Sequence, residues 1–169
     1  MAEKPFVAVL MGSDSDLPVM ESTLEVLKKL GIAYEVKITS AHRTPAATRD
    51  YVTDAEKRGC GTFICAAGLA AHLAGAVSAI TVRPVIGVPM DAGPLQGMDA
   101  LLSTVQMPGG IPTATVAIGK AGAKNAGYLA AQILGVGDPD LAERLRAERA
   151  ENAEAIQKKD AEVQKQFAG

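Results

Sequence analysis

Phe6-Val-Ala-Val-Leu-Met11 runs directly into Gly12-Ser-Asp-Ser-Asp16. An unbroken apolar run of this length does not suit a strand with one wet face. It suits a strand buried on both faces of a parallel sheet. The polar turn then opens a stretch with helical spacing at Leu17, Met20, Leu24, Leu27 and Leu30, which Gly31 stops.

The same strand, polar turn and helix recur along the chain. Residues 32–39 read as a second strand, followed by the loop Ser40-Ala-His-Arg-Thr44. Pro45 suits the first position of a helix that reaches about residue 58 and ends at Gly59. Residues 62–67 read as a third strand and 69–80 as a Gly/Ala-rich helix. A fourth strand is expected over 84–89 with a helix over 98–105. A fifth is expected over 113–118 with a helix over 125–134. Such alternation, joined by right-handed crossovers, predicts an α/β fold. The expected form is a three-layer α/β/α sandwich, flavodoxin-like, around a five-stranded parallel sheet of order 2-1-3-4-5.

A length of 169 residues suits one domain over 1–169, with its core at about 5–135. Gly135-Val-Gly-Asp-Pro139 breaks the pattern, and a charged helical tail follows over about 138–166. Its apolar positions are sparse: Leu141, Leu145, Ile156 and Val163. It reads either as a solvated helix or as one lying on a neighbouring subunit.

Composition removes several classes of function. Hydrophobic residues at 48% fit a globular chain, and the absence of Trp leaves the core to small and aliphatic residues. Lys and Arg total 17 against 19 for Asp and Glu. That balance provides no basic field for nucleic acid and no polybasic membrane patch. An anionic ligand must therefore be held by a few local donors. Cys65, inside Phe63-Ile-Cys-Ala-Ala67, reads as a small buried hydrophobe, and Cys60 and Cys65 alone make neither a structural zinc site nor an expected disulfide. No apolar run has membrane length, so a soluble, cytoplasmic protein is expected.

Ligands of open parallel sheets bind at the carboxyl ends of the strands, near the point where strand order reverses. The first such loop, Gly12-Ser-Asp-Ser-Asp16, offers amides and hydroxyls at a helix start. They can cradle a phosphate or simply cap the helix. The aspartates would repel an anion, which leaves one free for ribose hydroxyls while Ser13 or Ser15 faces the phosphate. The second loop carries His42, a candidate proton carrier, beside Arg43, whose planar fork holds carboxylate or phosphate. The third, from Gly68 to Leu73, allows close approach through Gly68, Ala70 and Ala71. Its His72 reads either as a satisfied structural residue or as a ligand contact.

Two later segments have double readings. Gln106-Met-Pro-Gly-Gly-Ile-Pro112 is a plain turn or a loop that closes over a substrate. The Gly/Ala run from Gly119 to Gly127 suits a subunit contact. No Walker pattern and no G-x-G-x-x-G follow strand 1, no metal-ligand spacing occurs, and neither Cys has a basic neighbour.

Together, Met11-Gly-Ser-Asp-Ser-Asp16, Ser40-Ala-His-Arg-Thr-Pro45, Ala70-Ala-His-Leu73 and Val105-Gln-Met-Pro-Gly-Gly-Ile-Pro112 resemble the N5-carboxyaminoimidazole ribonucleotide mutase family. The resemblance continues through Ala117-Ile-Gly-Lys-Ala-Gly122 and covers roughly residues 6–135. It implies a flavodoxin-like subunit in an octamer, working in purine biosynthesis without cofactor or metal. It implies an isomerase that moves a carboxylate from the exocyclic nitrogen of its ribonucleotide substrate to ring carbon C4. His42 would be the general acid and base. Ser13, Asp16 and Arg43 would contact the substrate, with Ser15, Ser40, Ala41, Gly68, Ala70, His72 and Leu73 completing the site.

Leu69 and Ala74 stand where the family pattern carries Gly and Pro, which affects local packing around the imidazole. Arg43 sets the chain apart from the animal-type relatives, which resemble Ser-Ala-His-Lys. Two other readings remain open on the sequence. One is a CO2-dependent carboxylase on the same fold, acting on aminoimidazole ribonucleotide or a nicotinic-acid nucleotide. The other is a non-catalytic nucleotide- or flavin-binding module.

Overall fold

A computed structural model describes residues 4–168. The opening apolar run forms β1 (Phe6–Met11), flanked on one side by β2 (Tyr34–Ile38) and on the other by β3 (Cys60–Ala67). β4 (Val85–Pro89) and β5 (Ala114–Thr115) complete a parallel sheet of order β2-β1-β3-β4-β5. Val9 lies in register with Val36 on one side and Ile64 on the other. Because strand side chains alternate, the run divides between two cores. Val7, Val9 and Met11 join one cluster, while Ala8 and Leu10 join the other. Both faces of β1 are therefore dry.

The first core lies under α1 (Leu17–Lys29) and α5 (Gly119–Gly135). The second lies under α2 (Pro45–Lys57) and α3 (Leu73–Ser78). α4 (Met98–Val105) packs beside β4 and β5. Fully buried side chains such as Leu27, Ile64 and Phe63 each contribute about 2 kcal/mol from transfer out of water. α1 and α5 approach closely because Gly127 has no side chain. A Cβ there would lie 2.9 Å from Val26 Cβ and 3.1 Å from the Thr23 carbonyl oxygen. Thr23 Oγ1 adds a buried hydrogen bond to the Ala123 carbonyl at 2.6 Å. The Gly/Ala run expected to serve a subunit contact is thus used inside the chain.

Three elements differ from expectation. α3 starts at Leu73 instead of 69, because Leu69 has a left-handed backbone at φ 55 that interrupts helical geometry. The preceding turn is tied to α4, where Ser103 Oγ accepts from the Ala71 amide at 3.0 Å. β5 shrinks to Ala114–Thr115, since Pro112 offers no amide and only Ile86 and Gly87 are paired with it. α5 begins six residues early, its first turns buried through Gly119, Gly122 and Ala123.

The tail is α6 (Pro139–Phe167), with Asp138 accepting from the Leu141 amide at 3.1 Å and Pro139 in the first turn. Its first turns belong to the core: Leu141 and Leu145 are buried with α1 and α5. Glu148 accepts from Lys29 Nζ at 2.9 Å and from the Tyr128 hydroxyl at 2.6 Å. Beyond Glu148 the described residues of α6 are exposed, including Ile156, Val163 and Phe167. No described helix is long and apolar enough to cross a membrane.

Candidate active site

At the carboxyl end of β1, Ser13 takes an extended backbone and caps a 3-10 turn over Asp14–Asp16. Ser13 Oγ accepts from the Ser15 amide at 3.2 Å, and Asp16 Oδ2 accepts from the Ser13 amide at 3.3 Å. This reciprocal capping box explains the carboxylate that a bare phosphate cradle would not contain. Burial raises the Asp16 carboxyl above its ordinary value; the Ser13 amide works against that, and Asp14 adds to it.

At the carboxyl end of β2, the loop folds on itself. Ser40 Oγ accepts from the Arg43 amide at 3.1 Å, and Thr44 Oγ1 accepts from the Ser40 amide at 3.0 Å. Thr39 is buried and hydrogen-bonded to Thr48 at 2.7 Å, which anchors the loop to α2. Ser40 and Thr44 are consumed in shaping the turn, so His42 and Arg43 project from it exposed. Among the described residues Arg43 pairs with no carboxylate, which leaves its guanidinium available to an anion.

At the carboxyl end of β3, the turn after Gly68 carries His72 back toward β2. His42 Nε2 and His72 Nδ1 are 2.8 Å apart, with the rings at 87° and their centroids 4.9 Å apart. One nitrogen donates and the other accepts, so the two rings share one proton along this axis. The histidine that an apolar stretch would ordinarily keep as a structural residue faces the cavity instead.

Three loops, with Ala92 after β4, line an open cavity of about 390 Å³. Ser13, Ser15, Asp16, Ser40, Ala41, His42, Arg43, Gly68, Ala70, His72 and Leu73 all line it. Leu69, marked in the sequence as a departure from the family pattern, lines it too, as do Gly12, Ala67 and Ala92, which were not among the expected site residues. Ala92 follows β4, so the strand-end rule could have found it; no side-chain chemistry marks it. The Pro/Gly loop lies elsewhere. Gly110, Ile111 and Pro112 border a second depression with Ser78, Val82 and Arg83, ahead of β4 and β5. A loop preceding a parallel strand sits at the opposite end of the sheet, so within its own subunit it does not close over this cavity. Burial pushes the Cys60 thiol up to about 11 and raises Cys65 as well, so neither is a thiolate nucleophile.

Known proteins resemble this chain in sequence and in fold. Residues 6–155 fit the model of the family described as AIR carboxylase. An N5-carboxyaminoimidazole ribonucleotide mutase from Pyrococcus horikoshii is 53% identical over 145 residues, covering 86% of this chain and 81% of its own. The Bacillus subtilis protein of the same name is 53% identical over 149 residues, covering 88% and 91%. The crystal structure of Treponema denticola PurE superimposes with a TM-score of 0.86 at 31% identity, over 94% of this chain and 98% of that one. By the extent of these matches and by its own strand order and loops, the chain belongs to the AIR carboxylase family.

Proposed function

We propose that this protein is an isomerase of purine biosynthesis that converts N5-carboxyaminoimidazole ribonucleotide into 4-carboxy-5-aminoimidazole ribonucleotide. The relatives bearing the mutase name, at about half identity over most of the chain, support the substrate. The observation that carries the chemistry is the His42–His72 contact inside the cavity.

The substrate carries a carbamate on its exocyclic nitrogen. His42 gives a proton to that nitrogen as its C–N bond to the carboxylate breaks, releasing CO2 and aminoimidazole ribonucleotide. Confinement in the cavity, once neighbouring copies complete it, keeps the CO2 beside the ring. The electron-rich C4 forms the new C–C bond to CO2, and His42 removes the C4 proton, restoring aromaticity. The proton given in the first step returns in the last, and the group is unchanged. His72 hydrogen-bonds His42 at 2.8 Å and so orients the ring between the steps. Ser13 and Ser15 with the Arg43 guanidinium suit the phosphate, and the Asp16 carboxylate suits ribose hydroxyls.

The working protein is a cytoplasmic homo-octamer in this reading. An exposed α6 end and an open cavity both suit completion by neighbouring copies. The rival is a carboxylase that consumes free CO2. Mixing the purified protein with the carbamate substrate and following the ultraviolet spectrum tests the proposal. Product formation without added bicarbonate is expected, and strict dependence on bicarbonate would establish the carboxylase instead.

A further inference from the structure

We infer that Leu69 touches the substrate, forming the apolar wall on which the imidazole ring of the ribonucleotide rests. The inference rests on the ribonucleotide reading above.

Leu69 adopts φ 55, a left-handed conformation that glycine takes freely and leucine does not. A leucine in that state is normally retained where packing over-determines it, yet this side chain stays 51% exposed and outside both cores. The hydrophobic core therefore gives no reason for its presence. The cavity does. Leu69 lines it together with His42 and His72. The neighbouring apolar groups are small: Ala41, Ala67, Ala70 and Ala92, while Leu73 is buried at 2% exposure. Among the lining residues Leu69 is the large apolar side chain with surface left to offer.

Its position is held from two sides. Ser103 Oγ accepts from the Ala71 amide at 3.0 Å, which pins the turn to α4. On the other side Leu69 lies across Gly93, whose φ of 73 and missing side chain leave room: a Cβ there would collide with the Leu69 methyl group. The turn thus holds Leu69 on the cavity wall, one methyl in the space that Gly93 leaves.

A ribonucleotide has three parts to be matched. Phosphate and ribose call for the hydroxyls and charges on the loops after β1 and β2. The heteroaromatic ring, whose chemistry involves His42, calls for an apolar face. Leu69 stands on the β3 loop beside His72 and meets that need.

The test compares Leu69→Ala and Leu69→Met with the wild type by steady-state kinetics and thermal melting. Removing the exposed half of a leucine contact should raise KM about fivefold in Leu69→Ala, with kcat changed less than about twofold. Leu69→Met restores apolar reach and should return KM most of the way, with both melting temperatures near that of the wild type. An unchanged KM in Leu69→Ala overturns the inference. So does a loss confined to kcat and melting temperature, which would make Leu69 a loop brace only. Wild-type protein that neither binds nor turns over the ribonucleotide overturns the functional reading itself. That result is seen before any variant is made, and Leu69 falls with it.

Discussion

Asp16 shows how a single carboxylate serves two demands that oppose each other. Its Oδ2 closes the capping box on Ser13, while partial burial raises its proton affinity. A folded-state pKa above the unfolded one means that ionisation opposes folding. The associated stability is full below the ordinary value of 3.8 and is lost as pH rises through the raised value. At neutral pH the charge is therefore a cost, which solvent screening keeps small. Asp16→Asn retains an acceptor for the Ser13 amide and removes that cost. The melting temperature at pH 7 should rise slightly, with no gain near pH 3. Affinity for the ribonucleotide should fall about tenfold as a charged acceptor for ribose hydroxyls is lost. Calorimetric melts at the two pH values and a binding titration check both parts. A lowered melting temperature at pH 7 contradicts the burial argument.

At the scale of elements, continuous apolar strands were the most legible feature, because β1 and β3 are dry on both faces and their sequences need no alternation. The three loops were legible for the same topological reason, and the residues singled out in them meet in one cavity. Local composition misled where tertiary contacts decided. The Gly/Ala run starting at 69 has helical composition, but the left-handed Leu69 and the Ser103 contact hold its first turn open. The His42–His72 meeting was illegible because it joins side chains 30 residues apart across two loops. The run from Gly119 to Gly127 displayed small residues without saying which surface they approach; the answer is α1. Gly127→Val places new carbon atoms against Val26 and the Thr23 carbonyl. It should destabilise the fold by about 3 kcal/mol, read as a lower urea midpoint. A midpoint equal to that of the wild type would mean that α1 and α5 do not pack this closely.

On the scale of the whole molecule, α6 divides in two. Leu141, Leu145 and Glu148 bind its first half to α1 and α5, and Arg144 Nε donates to the Leu30 carbonyl at 3.0 Å. Burial works to raise the Glu148 carboxyl, but the Tyr128 hydroxyl and the Lys29 ammonium outweigh it and hold it low. The second half continues the same helix face with Ile156 at 64% and Val163 at 53% exposure. That face suits further copies of the chain, consistent with the proposed octamer. Light scattering at micromolar concentration should give eight times the chain mass of 17.4 kDa. A monomer mass with full activity would refute a site completed by neighbours.

The central claim is that His42, in contact with His72, carries the proton out to the carbamate nitrogen and back from C4. It is tested most directly by the ultraviolet turnover assay run on the wild type beside His42→Asn, without added bicarbonate. His42 is exposed and outside both cores, so the variant should keep its circular dichroism spectrum and melting temperature. Its kcat should fall by about 10²–10⁴-fold, the usual loss when a general acid and base is removed, with the ribonucleotide still bound. A folded His42→Asn protein that converts the substrate at near wild-type rate would contradict the account.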